Sequence, residues 1–412
     1  MRRGRAAKLA AISLPAAMLA ALVFAAGVEV WTRRHWNPAK GTPGFFLSDA
    51  ARGQRLAPGY ADWFAGVPVK INSLGFRDDR EYALAKGPRT FRVLVLGDSV
   101  TFGHGSVYEH TYPFLVEQRL RAWRPDVDWQ VWNLAVPGYN TSQELAQLLE
   151  VGPAFQPDLV IVGFFENDVV DNHVVAPPAA TARARSAALT WLYRHVYSTS
   201  VYKRAYLELA WRLSASNSYR LRLQHVGAEA QLLEHLQSAQ DLEGQRLTSF
   251  DRLDDRRLQA APCAGAAGMA PDIVDAMRRE PGWDAWADAV RRLQQLRRDG
   301  VYRLMFFVNM APLGCPTSDV FYDGGSSRLN DFFVRTLGAD GTPVATSYEA
   351  FRRVRPSQMP EASGHSIGNA NVVKAEALFA FLRDVFLPQI AGGRAGAILR
   401  GPASDSARRA SQ

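Results

Sequence analysis

Only two cysteines, Cys263 and Cys315, occur in 412 residues. That scarcity excludes a disulfide-rich scaffold and an all-cysteine zinc site, and leaves open whether the two are bonded. No HExxH, EF-hand, P-loop or CxxC pattern occurs, so no metal and no nucleotide cofactor is expected. A mean hydropathy of −0.16 argues against a polytopic membrane protein. With 47% hydrophobic and 21% charged residues, disorder along the whole length is excluded as well. No internal repeat is present. At roughly 150 residues per domain, the length allows two or three domains or one elaborated domain. Acidic side chains are the minority, 40 against 48 basic, giving a net charge of +8 and a pI near 9.6. Such an excess suits an acidic partner, nucleic acid or anionic lipid, and composition does not choose between them.

The distribution of that charge is more informative than its sum. Residues 1–36 carry a net +5, residues 181–224 a net +7 and residues 391–412 a net +3, so the rest of the chain is net −7. The first of these segments opens with Arg2, Arg3, Arg5 and Lys8, followed by 20 uncharged, mostly apolar positions over 9–28. Twenty helical residues span about 30 Å, the thickness of a bilayer core. Ala25 and Ala26 would suit signal cleavage, but the length of the run and the following Arg33-Arg34 favour an uncleaved anchor. No cysteine lies nearby, which excludes a lipoprotein. Basic residues flank both ends, so the positive-inside rule barely discriminates. A short basic opening normally leaves the N-terminus inside, which places the remainder on the periplasmic or exterior face of a bacterial inner membrane. Nucleic-acid binding then has neither motif nor compartment in its favour.

Beyond the anchor (1–36) the chain divides into an irregular Gly- and Pro-rich lead-in (37–90), a main domain in two parts (91–173 and 283–390), a helical insertion (174–282) and a disordered tail (391–412). Apolar runs predict strands over 91–96, 129–135, 158–165 and 301–308, with a weaker one near 343–347. Helical spacing marks 111–122, 141–151, 284–298 and 368–386. Strands that alternate with helices and are apolar on both faces indicate an α/β domain with a parallel sheet covered by helices. In the insertion, Trp191, Tyr193, Tyr197, Tyr202, Tyr206 and Trp211 are interleaved with arginines. At helical spacing they read as packing, with a cover over the site or contact with anionic lipid as the functional alternatives.

Ligand sites in such sheets form at the carboxyl ends of strands. The first strand ends in Gly97-Asp98-Ser99-Val100-Thr101-Phe102-Gly103, a turn able to present a hydroxyl and main-chain N–H groups. A serine there is often a plain helix cap. The second strand leads to Gly138, where no side chain hinders approach to the main chain, and the third to Asn167-Asp168. This ordered set, with a late histidine in Gly364-His365-Ser366-Ile367-Gly368-Asn369-Ala370, resembles the SGNH or GDSL-like hydrolase superfamily. The segment Ile71-Asn72-Ser73-Leu74-Gly75-Phe76-Arg77 is similar to one that precedes the first strand in bacterial envelope members.

The resemblance implies a flavodoxin-like, three-layer α/β/α fold with about five parallel strands and no cofactor. It implies Ser99 as nucleophile and His365 as general base. It also implies an oxyanion hole from the Ser99 and Gly138 N–H groups and the Asn167 side chain, a donor set that suits charge developing on a tetrahedral intermediate. His104 and His110 are the next candidates for the base, His173 reads as loop surface, and Asp98 and Asp168 read as loop-holding residues. The loop Asn309–Cys315 after the fourth strand is a possible pocket border. One departure stands out. The family usually carries an Asp two or three residues before its histidine, whereas here the positions hold Ala362 and Ser363 and the nearest carboxylate is Glu361. Either Glu361 or a main-chain carbonyl then orients the ring. The expected activity is a serine esterase acting on an acylated carbohydrate or lipid in the cell envelope. An O-acyltransferase of envelope polysaccharide and a degenerate glycan- or partner-binding member are the alternatives.

Overall fold

A computed structural model describes residues 2–35, 44–49, 51–65, 67–173, 191, 195–199, 201–202, 272–314, 319–323, 325–359, 361–362, 365–390 and 392–400. Cys263 and Cys315 lie outside these residues, as do Tyr193, Tyr206 and Trp211 of the aromatic stripe. The first element is helix α1 (Arg2–Arg34). Among the described residues it alone is long and apolar enough to cross a membrane, over Pro15–Arg34 with a mean hydropathy of 1.6. Its flank carries Met18, Leu19, Leu22, Val23 and Phe24 exposed to solvent. At its far end the Glu29 carboxylate accepts hydrogen bonds from the N–H groups of Tyr197 and Ser198.

The main sheet has five parallel strands, β1 (Thr90–Gly97), β2 (Asp128–Asn133), β3 (Leu159–Phe164), β4 (Leu304–Val308) and β5 (Val344–Thr346). They lie in the order β2-β1-β3-β4-β5, with Val93 opposite Val131, Leu96 opposite Val162 and Phe306 opposite Val344. Every residue of β1, β3 and β4 is buried. Alternation along a strand sends successive side chains to opposite layers. Phe91, Val93 and Val95 pack with Val116 and Leu120 of α2 (Tyr112–Trp123). Leu94 and Leu96 pack with Leu145 and Leu148 of α3 (Thr141–Phe155) and with Trp286 and Leu293 of α4 (Trp283–Arg298). Each such side chain contributes about 1.5–3 kcal/mol on full burial, which makes the two apolar layers the main favourable term. The flavodoxin-like α/β/α architecture expected from sequence is the one observed.

Start and stop signals are local. Helix α3 begins at a reciprocal capping box between Asn140 and Gln143 and ends at Gln156 in the left-handed region. Three expectations need correction. The lead-in is not irregular throughout. Phe46–Asp49 pairs with Gly53–Leu56 and Ala61–Phe64 with Val67–Lys70, both antiparallel. Strands of four residues punctuated by Gly and Pro carry too little periodicity to read in isolation. They bury Leu56, Val67 and Val69 against Phe102, Val136 and Tyr139, and thereby cover the loops at the carboxyl edge of the sheet. The tail is likewise ordered in part. Helix Gly393–Arg400 packs Ala395 and Ile398 into the layer beneath β1, although its Gly/Ala/Arg composition hides that face. Helix Ile273–Arg278, assigned to the insertion, also places Met277 in the main core.

Candidate active site

The strand order reverses direction between β1 and β3, and the polar strand ends converge at that switch point. Immediately after Gly97 the chain turns into a four-residue helix, Ser99–Phe102, capped by Asp98. Gly97 sits at φ 154°, and a Cβ there would fall 2.2 Å from Thr101 Oγ1. Gly103 closes the turn at φ 82°, in the left-handed region that favours glycine. The hydroxyl of Ser99 is thus presented from a turn of fixed shape.

His365 meets it. Its Nε2 lies 2.8 Å from Ser99 Oγ, joining residues 266 positions apart. The histidine is carried by a two-residue strand, His365–Ser366, paired antiparallel with Glu361–Ala362 just before helix α5 (Asn369–Phe381). The register sets Ala362 opposite His365 and Glu361 opposite Ser366. The Glu361 side chain lies outside the described part of the structure, as do Ser363 and Gly364. Of the alternative bases, the His104 ring does not bond the Ser99 hydroxyl. Its ring stacks on His365 with centroids 4.6 Å apart and an interplanar angle of 27°. His110 sits in a turn over Tyr108–His110, and His173 ends the turn Asp171–His173, its side chain outside the described part.

The third strand supplies the amide. Asn167 Nδ2 donates to Asp98 Oδ2 at 3.0 Å, and Asp98 Oδ1 accepts from the Val100 N–H at 2.9 Å. Asp98 therefore ties the serine turn to the Asn167 turn, the loop-holding task its position suggests. Burial pushes the Asp98 carboxyl above its ordinary range. Its hydrogen bonds to Asn167 and Val100 and the charges of His365 and Lys374 only partly offset this. Gly138 stands at φ 79° in a loop whose Val136 N–H bonds Gly97 O. The N–H groups of Ser99 and Gly138 have no acceptor among the described residues. On the remaining rim, Asn309 is buried and its N–H bonds Phe164 O, so it links β4 to β3.

Other residues were not legible in advance. Arg77, quoted above only as part of a resembling segment, is fully buried and donates from Nη1 to both Phe102 O and Gly103 O at 2.8 Å, and from Nη2 to Ser106 O. Its guanidinium also lies 4.6 Å over the Phe102 ring. The only sequence signal was an arginine closing a turn capped by Asn72, whose Oδ1 accepts from Leu74 and Phe76. Gln54, from the first hairpin, donates to Pro137 O and so braces the Gly138 loop. Glu144, on α3, is fully buried and neither carboxyl oxygen has a hydrogen-bond partner among the described residues. Burial first, and the neighbouring Asp98 second, drive its pKa well up. Asp168 behaves the same way, pushed up by burial and then by Glu144 and Asp98.

These raised acids have a consequence for stability. The folded protein holds a proton on Glu144 that the unfolded chain releases above its ordinary value near 4.3, so stability falls as pH rises from there toward the raised folded pKa. Glu144→Gln removes this linkage. Its melting temperature at pH 8 is expected to exceed wild type by at least ~2 °C, with the gap closing near pH 4, as thermal unfolding across that range will check.

A parallel 2-1-3-4-5 sheet with a strand–turn–helix serine at its switch point has the layout of an α/β/α hydrolase of the SGNH type. More particularly, the model of the GDSL-like lipase/acylhydrolase family matches residues 95–233. No curated protein sequence matches the chain. Among solved structures it is similar to an acetylxylan esterase from Geobacillus stearothermophilus, at 12% identity over 71% of this chain and 93% of that one, with a TM-score of 0.35. It is also similar to an alpha/beta hydrolase enzyme from the metagenome of Lake Arreo, Spain, at 11% identity over 70% and 94%, with a TM-score of 0.34.

Proposed function

We propose that the protein is a membrane-tethered serine esterase that removes an acyl group, acetyl being the simplest case, from a carbohydrate or lipid ester in the cell envelope. In this reading α1 is an uncleaved anchor and the hydrolase domain faces the periplasm or exterior. The observation that carries the chemistry is the 2.8 Å contact between His365 Nε2 and Ser99 Oγ. Ser99 Oγ attacks the ester carbonyl carbon while Nε2 takes its proton. The tetrahedral intermediate collapses as the imidazolium returns that proton to the departing alkoxide. Water then repeats the cycle on the acyl-enzyme and releases the acid.

The oxyanion hole consists of the Ser99 and Gly138 N–H groups and Asn167. An amide nitrogen carries two hydrogens: Asp98 takes one of those on Asn167 Nδ2 at 3.0 Å, and the other makes only a long 3.5 Å contact with Asp171 Oδ2, which the oxyanion would displace. Asn167→Ala is accordingly expected to lower kcat by about 10²–10³ with KM changed less than threefold, measured by steady-state ester hydrolysis. Glu361→Gln separates the two ways of orienting His365: a fall of about 10⁴ in kcat marks a triad carboxylate, and unchanged kcat marks a main-chain partner.

The full-length protein in detergent, incubated with short-chain nitrophenyl esters and with an O-acetylated polysaccharide, should release one acid per ester cleaved. Acyl groups recovered on an added unacetylated glycan instead of in water would reassign it as a transferase. No release above the uncatalysed rate from any ester would remove the enzymatic reading altogether.

A further inference from the structure

His104 is half-buried, and its ring has nothing to bond among the described residues. Both ring nitrogens are inaccessible and lack a hydrogen-bond partner among the described residues, which is unusual for a group that normally satisfies at least one. Its surroundings are rings and one cation. One face stacks on His365, and Phe64 from the second hairpin meets it edge-on at 5.5 Å. The charged and titratable groups that face it are His365 and Arg77. Burial, with those two neighbours, drives its pKa well below the ordinary value, so the ring is neutral at working pH.

The main chain of His104 belongs to the nucleophile. Its N–H donates to Ser99 O at 3.0 Å, and the Gly103 N–H donates to the same oxygen at 3.1 Å. Gly103 and Gly105, at φ 82° and 77°, let the loop reverse on either side of it. Arg77 then holds the carbonyls of Phe102, Gly103 and Ser106. The ring is therefore mounted on the same rigid turn as Ser99 Oγ. His365, by contrast, reaches the site from a two-residue strand.

We propose that His104 is a positioning residue, a neutral flat platform on the nucleophile's own turn that sets the plane of the His365 imidazole so that Nε2 faces Ser99 Oγ. This rests on the assignment of His365 as base. Its donor and acceptor nitrogens lie in the ring plane, so the stacked face presents neither to the catalytic ring. Its π face also accepts the positive charge that His365 acquires during turnover.

The test compares His104→Ala, His104→Leu and His104→Phe in the full-length protein in detergent. The Ala and Leu variants are expected to lose about 10²-fold and at least tenfold in kcat, with KM within threefold, since a displacement near 1 Å of a reacting group costs about 10². Phe restores a flat neutral ring and should recover at least tenfold over Ala, with a kcat–pH profile that overlays wild type from pH 6 to 9. Leucine fills similar space without a flat face, so it decides the matter if the Ala variant does not fold. Wild-type kcat in the Ala or Leu variant, or a Phe variant as impaired as Ala, would overturn the proposal. His365→Ala, run alongside, separates this from the parent assignment: full activity there removes the base itself, whereas its loss together with an active His104→Ala removes only the platform.

Discussion

Ser99→Ala is expected to lower kcat/KM for a short-chain nitrophenyl ester by about 10⁶ without unfolding the protein. The substitution removes one oxygen from a turn held by its main chain, through Phe102 N–H to Asp98 O and Gly103 N–H to Ser99 O. No packing contact of the core depends on that hydroxyl, so the melting temperature should stay within about 2 °C of wild type. The magnitude follows from what remains. With the nucleophile gone, the donors at Ser99, Gly138 and Asn167 still stabilise charge from direct attack by water, and such remnants typically retain about 10³–10⁴ over the uncatalysed reaction. Stopped-flow and long-time progress curves on purified protein will measure both ends of this range.

His365→Ala should cost nearly as much, about 10⁵–10⁶, and the Ser99→Ala/His365→Ala double variant should be no worse than either single one. The two side chains act as one unit: the hydroxyl is a poor nucleophile unless a base takes its proton as the bond forms, and the base has nothing to do without the hydroxyl. The loss should appear in kcat, since the imidazole's role here is proton transfer. An additive double variant would mean that the two residues work independently and that the 2.8 Å contact has no mechanistic weight.

The sheet was the most legible part of the molecule. Runs such as Phe91–Leu96 and Leu159–Phe164 are apolar on both faces because helices cover both, and no soluble loop reads that way. The strand ends were legible for a related reason. Ser99, Gly138 and Asn167 each follow a strand that the pattern marks, so their order along the chain already placed them on one edge. His365 has no strand run to mark it, and only its place in an ordered set singled it out.

What escaped depends on tertiary contact. Arg77 clamps the serine turn through main-chain carbonyls, and a carbonyl partner leaves no trace in sequence. In sequence His104 reads as a spare base because it lies near Ser99 in the chain, whereas the fold turns its ring onto His365. The hairpins of 46–70 were invisible because their burial is against the site loops. The insertion and tail carry much of the basic excess, and the negative remainder holds the sheet, so the high pI describes the appendages of the hydrolase domain.

The central claim is that Ser99 is an activated nucleophile, and covalent labelling tests it most directly. The full-length protein in detergent, treated with an alkyl fluorophosphonate, should gain one phosphonyl group by intact mass, mapped by peptide sequencing to Ser99. The labelling rate should fall at least 10³-fold in His365→Ala. A protein that stays unlabelled, or that is labelled elsewhere at the same rate in Ser99→Ala, would contradict the account.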